Sequence, residues 1–251
     1  MVLFQMCSWR RKDLIEGHRF YVEQARKRLL SQFENIEAEA EKASEDWLER
    51  SGSHFDPERH DPGDFYEAAS NAGIEFYGLL SDMRDQTRLS VVAGMFHEWD
   101  KQLRDWLVDE VHHWYVGENF PRCIWDLKFH EMAEFLESLG WDVEETAYWK
   151  TLNACQLVVN VYKHGTGSAL DKLKEKHPEF LHGTTGGHGN LFSSVDLRDH
   201  TYLKISDAQF KAFTEAIVSF WSSVPESIWA SQTKDVTGRL VKAIYKDQAQ
   251  A

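Results

Sequence analysis

With 251 residues, 42% of them hydrophobic, the chain is long enough to bury roughly 70–75% of its extended surface around a real core, as one large domain or two small ones, so disorder is not its default state. Its 41 acidic against 28 basic side chains leave a net charge of -13, which opposes diffuse attraction to DNA, RNA or anionic lipid but leaves room for a local basic site. No apolar run reaches the length of about eighteen residues that a membrane span needs, and the odd set Cys7, Cys123 and Cys155, without a Cys-x2-Cys pair for zinc, points to a reducing compartment.

The opening Met1–Trp9 is apolar, but Arg10, Arg11 and Lys12 follow it, the reverse of the order in a secretory signal. A soluble, cytoplasmic protein with no membrane contact is expected. From about Lys12 to Arg50, Leu14, Phe20, Val22, Ala25, Leu29, Phe33, Ile36 and Ala40 return at helical intervals, which predicts a long first helix, broken once at most. Ser51 through Gly63 reads as a polar linker, and Phe65–Leu80 as a shorter second helix. Over Thr87–His113 the stripe of Leu89, Val92, Met95, Phe96, Trp99, Leu103, Trp106, Leu107 and Val111 predicts a core helix.

Asn119-Phe120-Pro121 starts a helix expected to run to Leu139 and to stop at Gly140. Asp142–Lys163 supplies another, ended by Gly165. Ser168 is placed to cap a short helix to Lys176 before Pro178 breaks it, and Gly183–Gly189 reads as an exposed loop. That glycine-rich stretch lacks the Gly-Lys-Ser/Thr ending and the preceding strand of a phosphate loop. Thr201–Ile205 is a short strand or extended connector, Ser206 or Asp207 caps a helix over Ala208–Ser222, and a last helix follows Pro225 with Ile228, Trp229, Val236, Leu240 and Ile244 on its apolar side. The expected fold is all-α: a helical bundle with a long N-terminal helix and a minor extended segment, organised as an N-terminal extension and linker (1–62), a helical core (63–225) and a C-terminal helix (226–251).

Asn160 and His164 lie four residues apart at the end of an apolar helix, a spacing that puts both on one face within reach of a single substrate group. His164 can act as acid or base near neutral pH. It also suits the last turn of a helix with no chemistry at all, bonding the final carbonyls at the negative end of the dipole. Other constellations are weaker. His97-Glu98 and His130-Glu131 lack the second histidine of a His-Glu-x2-His metal motif, and the adjacent His112 and His113 diverge on a helix, so no metal and no cofactor is expected. Glu98 within an apolar helix is either an orienting carboxylate or half of an exposed ion pair. The tryptophans read as core or as an oligomer interface before a base-stacking platform, since basic and aromatic residues do not alternate.

The segment Leu152-Asn153-Ala154-Cys155-Gln156-Leu157-Val158-Val159-Asn160-Val161-Tyr162-Lys163-His164-Gly165-Thr166-Gly167-Ser168, followed by Pro178-Glu179-Phe180-Leu181, with Arg88–Leu103 as an earlier core helix, resembles the HEPN superfamily (higher eukaryotes and prokaryotes nucleotide-binding) in its bacterial branch. The resemblance covers about residues 85–225. It implies a HEPN-like core, a homodimer and a setting in stress response or phage defence. Many ribonucleases of that superfamily carry an arginine, a polar residue and a histidine on this helix. Here the polar position falls on Asn160 and the histidine on His164, while the arginine position holds Val159, which cannot bind phosphate. Lys163, or Arg84, Arg88 or Arg104 from a neighbouring helix, could replace it, and a dimer could also bring two copies of the site together. Two readings therefore stand: an interaction or accessory protein with a protein partner, and a metal-independent endoribonuclease acting on RNA through His164 and Asn160.

Overall fold

The computed structural model describes residues 1–183, 196–236 and 238–250. It is all-helical apart from two short strands among those residues. The chain forms two compact units, Met1–Val22 with Val92–Ala251, and Glu23–Val91.

The long N-terminal helix is interrupted once: α1 spans Ser8–Arg28, a 3-10 turn Leu30–Phe33, and α2 Ile36–Gly52. At the interruption the Ser31 hydroxyl donates to the Lys27 carbonyl at 2.8 Å, competing with the backbone ladder. Helix α3 runs unbroken from Pro62 to His112, where two helices were expected. The polar interval Ser81–Gln86 that suggested a boundary holds neither glycine nor proline, and polarity alone does not end a helix. Within the smaller unit, Gly73 of α3 lies against α2 so closely that a Cβ there would sit 3.0 Å from the Ala40 carbonyl oxygen. Trp47 and Phe65 meet edge to face at 5.9 Å, and Phe55 closes on Phe65 at 5.0 Å.

In the larger unit the expected helix over Asn119–Leu139 is two: α4 at Asn119–Trp125 and α5 at Phe129–Ser138. The cause is a buried side chain from α3. The Arg104 guanidinium donates to the carbonyls of Ile124, Trp125 and Leu127 at 2.7–2.9 Å, oxygens that a continuing helix would need for its own N–H groups. The chain restarts where the Lys128 N–H donates to the Glu131 carboxylate at 2.7 Å.

The apolar opening segment is β1 (Val2–Gln5), paired antiparallel with β2 (Ser227–Trp229). Phe4 is wholly buried, with the rings of Trp106, Trp114 and Phe135 at 6.0–6.3 Å. The helix expected directly after Pro225 is thus a strand first, because β1 supplies a partner from the far end of the sequence. The helix itself, α9, begins at Gly238 and runs to Gln248.

Helices α6 (Ala147–His164) and α8 (Asp207–Ser223) pack on α3 through an aromatic core. Trp149 stacks on Phe129 at 4.6 Å, and Trp99 meets Phe220 edge to face at 5.1 Å. Trp99, Trp106 and Trp221 are at most 1% exposed, so these rings are core rather than a stacking platform. Helix α8 starts on Ser206, whose hydroxyl accepts from the Gln209 N–H while the Gln209 side chain accepts from the Ser206 N–H, a capping box. Helix α7 (Ser168–Lys176) has Gly167, not Ser168, at its cap position. Thr201–Ile205 is a 3-10 turn over His200–Tyr202 and a single bridge from Leu203 to Leu181.

Candidate functional site

Helix α6 begins at Thr146, whose side chain accepts from the Trp149 N–H, and ends at Gly165, whose N–H donates to the Val161 carbonyl. Gly165 has φ +68°, the left-handed conformation that favours glycine and stops a helix. The helix turns Leu152, Cys155, Val158, Val159 and Val161 inward. Asn160 is left half-buried and His164 exposed, on the shared face that their spacing predicts. Neither side chain makes a hydrogen bond among the described residues. His164 is therefore not the helix cap, which Gly165 supplies.

Val159, at the position where the resemblance places an arginine, is 1% exposed. It lies in the apolar core, so that position has packing where the resemblance places a cation. Of the arginines that might replace it, Arg104 is committed to three carbonyls and to Asp100 at 2.9 Å. Arg84 bonds Ser81 and Asp85, and Arg88 pairs with Asp85. Lys163 is exposed on the next face of α6, turned about 100° from His164.

The structure does bring one further group to this helix end. The ring of His200 covers Gly165, at 3.6 Å from the place a Cβ would take. His200 sits in a turn capped by Asp199, whose carboxylate accepts from the Thr201 N–H at 2.9 Å and is held below its ordinary range by the Thr201 hydroxyl and N–H. The turn is anchored by Arg198, buried, which grips the Asp196 carboxylate and donates to the carbonyls of Pro178 and Leu181. That pairing holds the Asp196 carboxyl at about 2. The sequence carried no signal for His200, because its contact to Gly165 crosses 35 residues. The glycine-rich stretch considered as a phosphate loop lies, from residue 184, outside the described residues.

No family model, curated protein or solved structure matches the chain.

The remaining candidates resolve simply. Glu98 is exposed, pairing with Lys101 at 2.8 Å and accepting from Gln102 at 3.2 Å, so it is a surface ion pair and not an orienting carboxylate. Among the described residues no group of three or more His, Cys, Asp or Glu is placed to hold a metal. No helix among them is long and apolar enough to cross a membrane. A buried histidine did escape the sequence reading: His18 of α1 is 7% exposed, with Nε2 3.1 Å from the Thr214 carbonyl oxygen. Its neighbours and burial mark it as a neutral core histidine.

Proposed function

We propose that the protein is an oligomeric interaction or accessory protein with a HEPN-like core, cytoplasmic, and serving a bacterial stress or phage-defence role through a protein partner. The observation that carries this reading is the burial of Val159 together with the commitment of Arg104 elsewhere. A nuclease that cleaves by attack of the ribose 2′-hydroxyl needs a cation on the phosphate as well as a proton acceptor, and the face of α6 that carries Asn160 and His164 provides only the second.

The second reading is a metal-independent endoribonuclease. In its favour, Asn160 and His164 share an accessible face, and His200 lies at the same helix end, giving an exposed pair of imidazoles for proton transfer. His164 would take the 2′-hydroxyl proton and Asn160 would hold the ribose-phosphate, with a homodimer partner supplying the positive charge. The test is incubation of purified protein with a mixed tRNA and structured RNA pool in EDTA, beside His164→Ala. Sedimentation velocity is run on the same samples. Cleavage lost in the variant supports the nuclease; inactivity of both proteins with a stable oligomer supports the accessory role; and inactivity of a strict monomer removes both readings.

A further inference from the structure

In a chain of net charge -13, one cavity is lined by an excess of cations. It lies between α4 and α9, has a volume of about 240 Å³, and is bordered by Arg122, Cys123, Asp126, Arg239, Lys242 and Lys246. On α9, positions 239, 242 and 246 follow at i, i+3 and i+7 and so fall on a single face. Like charges at that spacing repel, and no salt bridge within the helix relieves them. Arg239 donates to the Asp126 carbonyl at 2.8 Å and reaches the Glu131 carboxylate at 3.4 Å. Arg122, Lys242 and Lys246 form no ion pair and no side-chain hydrogen bond among the described residues. The single carboxylate in the lining, Asp126, cannot neutralise them.

We infer that this cavity binds a compact small-molecule polyanion carrying two or more phosphate groups. The volume holds several waters, room for a diphosphate and more than a single phosphate requires. Apart from Cys123 the lining presents charged and amide groups with one alanine, Ala243, and no aromatic face on which a base could stack. An extended nucleic acid would have to lie along the acidic remainder of the surface. A compact anion feels chiefly the charges within one screening length of about 8 Å. Paired guanidinium and ammonium groups suit phosphate oxygens better than they suit weakly charged ligands. Burial pushes the Cys123 thiol up, with Asp126 and Glu131 acting in the same sense and Arg239 and Lys246 against it, so the thiol lies within reach of the cations that line the cavity. The site stands apart from α6 and does not depend on how that helix functions.

The experiment is calorimetric titration of the full chain with pyrophosphate at low salt, with inorganic phosphate and sulfate as comparison anions. The Lys242→Glu/Lys246→Glu double variant is the test protein. Lys172→Glu/Lys211→Glu, two exposed lysines outside the cavity, matches its change in net charge. Circular dichroism checks that each folds. Pyrophosphate is expected to bind the wild type and the control, and to bind the double variant at least about 10-fold more weakly. A second readout is the modification rate of Cys123, assigned with Cys123→Ser, which pyrophosphate should slow by about fivefold by covering the thiol. Absence of both heat and protection in the wild type overturns the inference. So does equal affinity in the folded double variant, or equal binding of sulfate, which would make the cavity a trap for an adventitious ion only.

Discussion

Arg104 offers the sharpest test of how this fold is held together, and it bears on function because it was one of the arginines available to replace the cation missing at Val159. The residue is 7% exposed, and its guanidinium donates to the Ile124, Trp125 and Leu127 carbonyls and to both Asp100 oxygens, at 2.7–3.0 Å. Replacement by methionine keeps the length of the stem and removes every donor. A buried carbonyl left without its donor costs about 1 kcal/mol or more, and losing one partner of a buried ion pair costs about 3–5 kcal/mol. These overlap, since the same guanidinium serves both, and Asp100 is partly solvated. Arg104→Met should therefore lose about 4 kcal/mol. Arg104→Lys, whose single ammonium cannot span three carbonyls and a carboxylate, should lose about 2 kcal/mol. Against a total of about 5–15 kcal/mol for a domain, the methionine variant would lose between about a quarter and four fifths of its stability. Urea titration followed by the fluorescence of the buried tryptophans reads both changes as shifts in midpoint at constant slope. A loss below about 1 kcal/mol for Arg104→Met, with the slope unchanged, would refute the role assigned to this side chain.

Three further outcomes are expected. Asp247 of α9 is 7% exposed and accepts from the N–H groups of Asn119 and Phe120, from the Asn119 side chain and from the Tyr115 hydroxyl. Burial pushes its carboxyl upward, but these donors more than offset that and hold it at about 2, below the ordinary 3.8. Its contribution is complete above pH 3.8 and disappears as the pH falls toward about 2. Asp247→Asn, which turns an amide toward N–H groups, should cost about 2–3 kcal/mol at neutral pH and flatten the stability curve in that acid window, as read by denaturant midpoints at stepped pH. Burial lowers the pKa of His18 below 6.5, only partly opposed by its bond to Thr214 and by Glu215. The folded protein therefore binds fewer protons than the unfolded one just below pH 6.5, and stability should decline as pH falls through that range. His18→Gln should abolish that decline, and an unchanged pH profile would count against it. Gly140 has φ +81° and would place a Cβ 2.9 Å from the Gln232 carbonyl oxygen. Gly140→Ala should cost about 2 kcal/mol, strain and contact together, measured as a drop in Tm.

What could be read from the sequence was local. The C-terminal end of α6 follows from Gly165, and the start of α8 from Ser206 three residues before Gln209, because caps and left-handed glycines act within one turn; the start of α6, expected at Asp142, lies instead at Ala147 behind the Thr146 cap. The faces of α3 and α6 followed from periodicity for the same reason. The failures share the opposite property. The break between α4 and α5 is made by an arginine 20 residues upstream, and β2 exists because β1 pairs with it from the other end of the chain. At the site, the four-residue spacing correctly predicted that Asn160 and His164 share a face. It could not show that Val159 points into the core or that His200 folds over Gly165. A turn, a stripe and a cap are written in neighbouring residues, whereas the partner of a buried charge is written wherever the fold happens to bring one.

Helix α4 shows what such distant partners achieve. At seven residues it is far below the length at which a helix persists in water by itself, and Glu118, at its cap position, makes no side-chain bond to it. Its first N–H groups are instead taken by the Asp247 carboxylate from α9, and its last carbonyls by the Arg104 guanidinium from α3. The negative group stands at the positive end of the helix dipole and the positive group at the negative end, so each stabilises α4 through charge as well as through hydrogen bonding. Gly117 must be glycine for the first of these, since a Cβ there would lie 2.5 Å from Cγ of Asp247. Arg122 and Cys123 ride on the helix so fixed, and Lys242 and Lys246 on the helix that supplies Asp247. Asp247 thus sets the spacing of the cationic cavity without lining it. It follows that Asp247→Asn should weaken pyrophosphate binding while leaving every lining cation in place, by loosening α4 against α9 and raising the ordering cost of binding. Cooling or moderate osmolyte, by restoring the packing, should recover part of the affinity in that variant and none in Lys242→Glu/Lys246→Glu, which separates a positioning residue from the charges it positions.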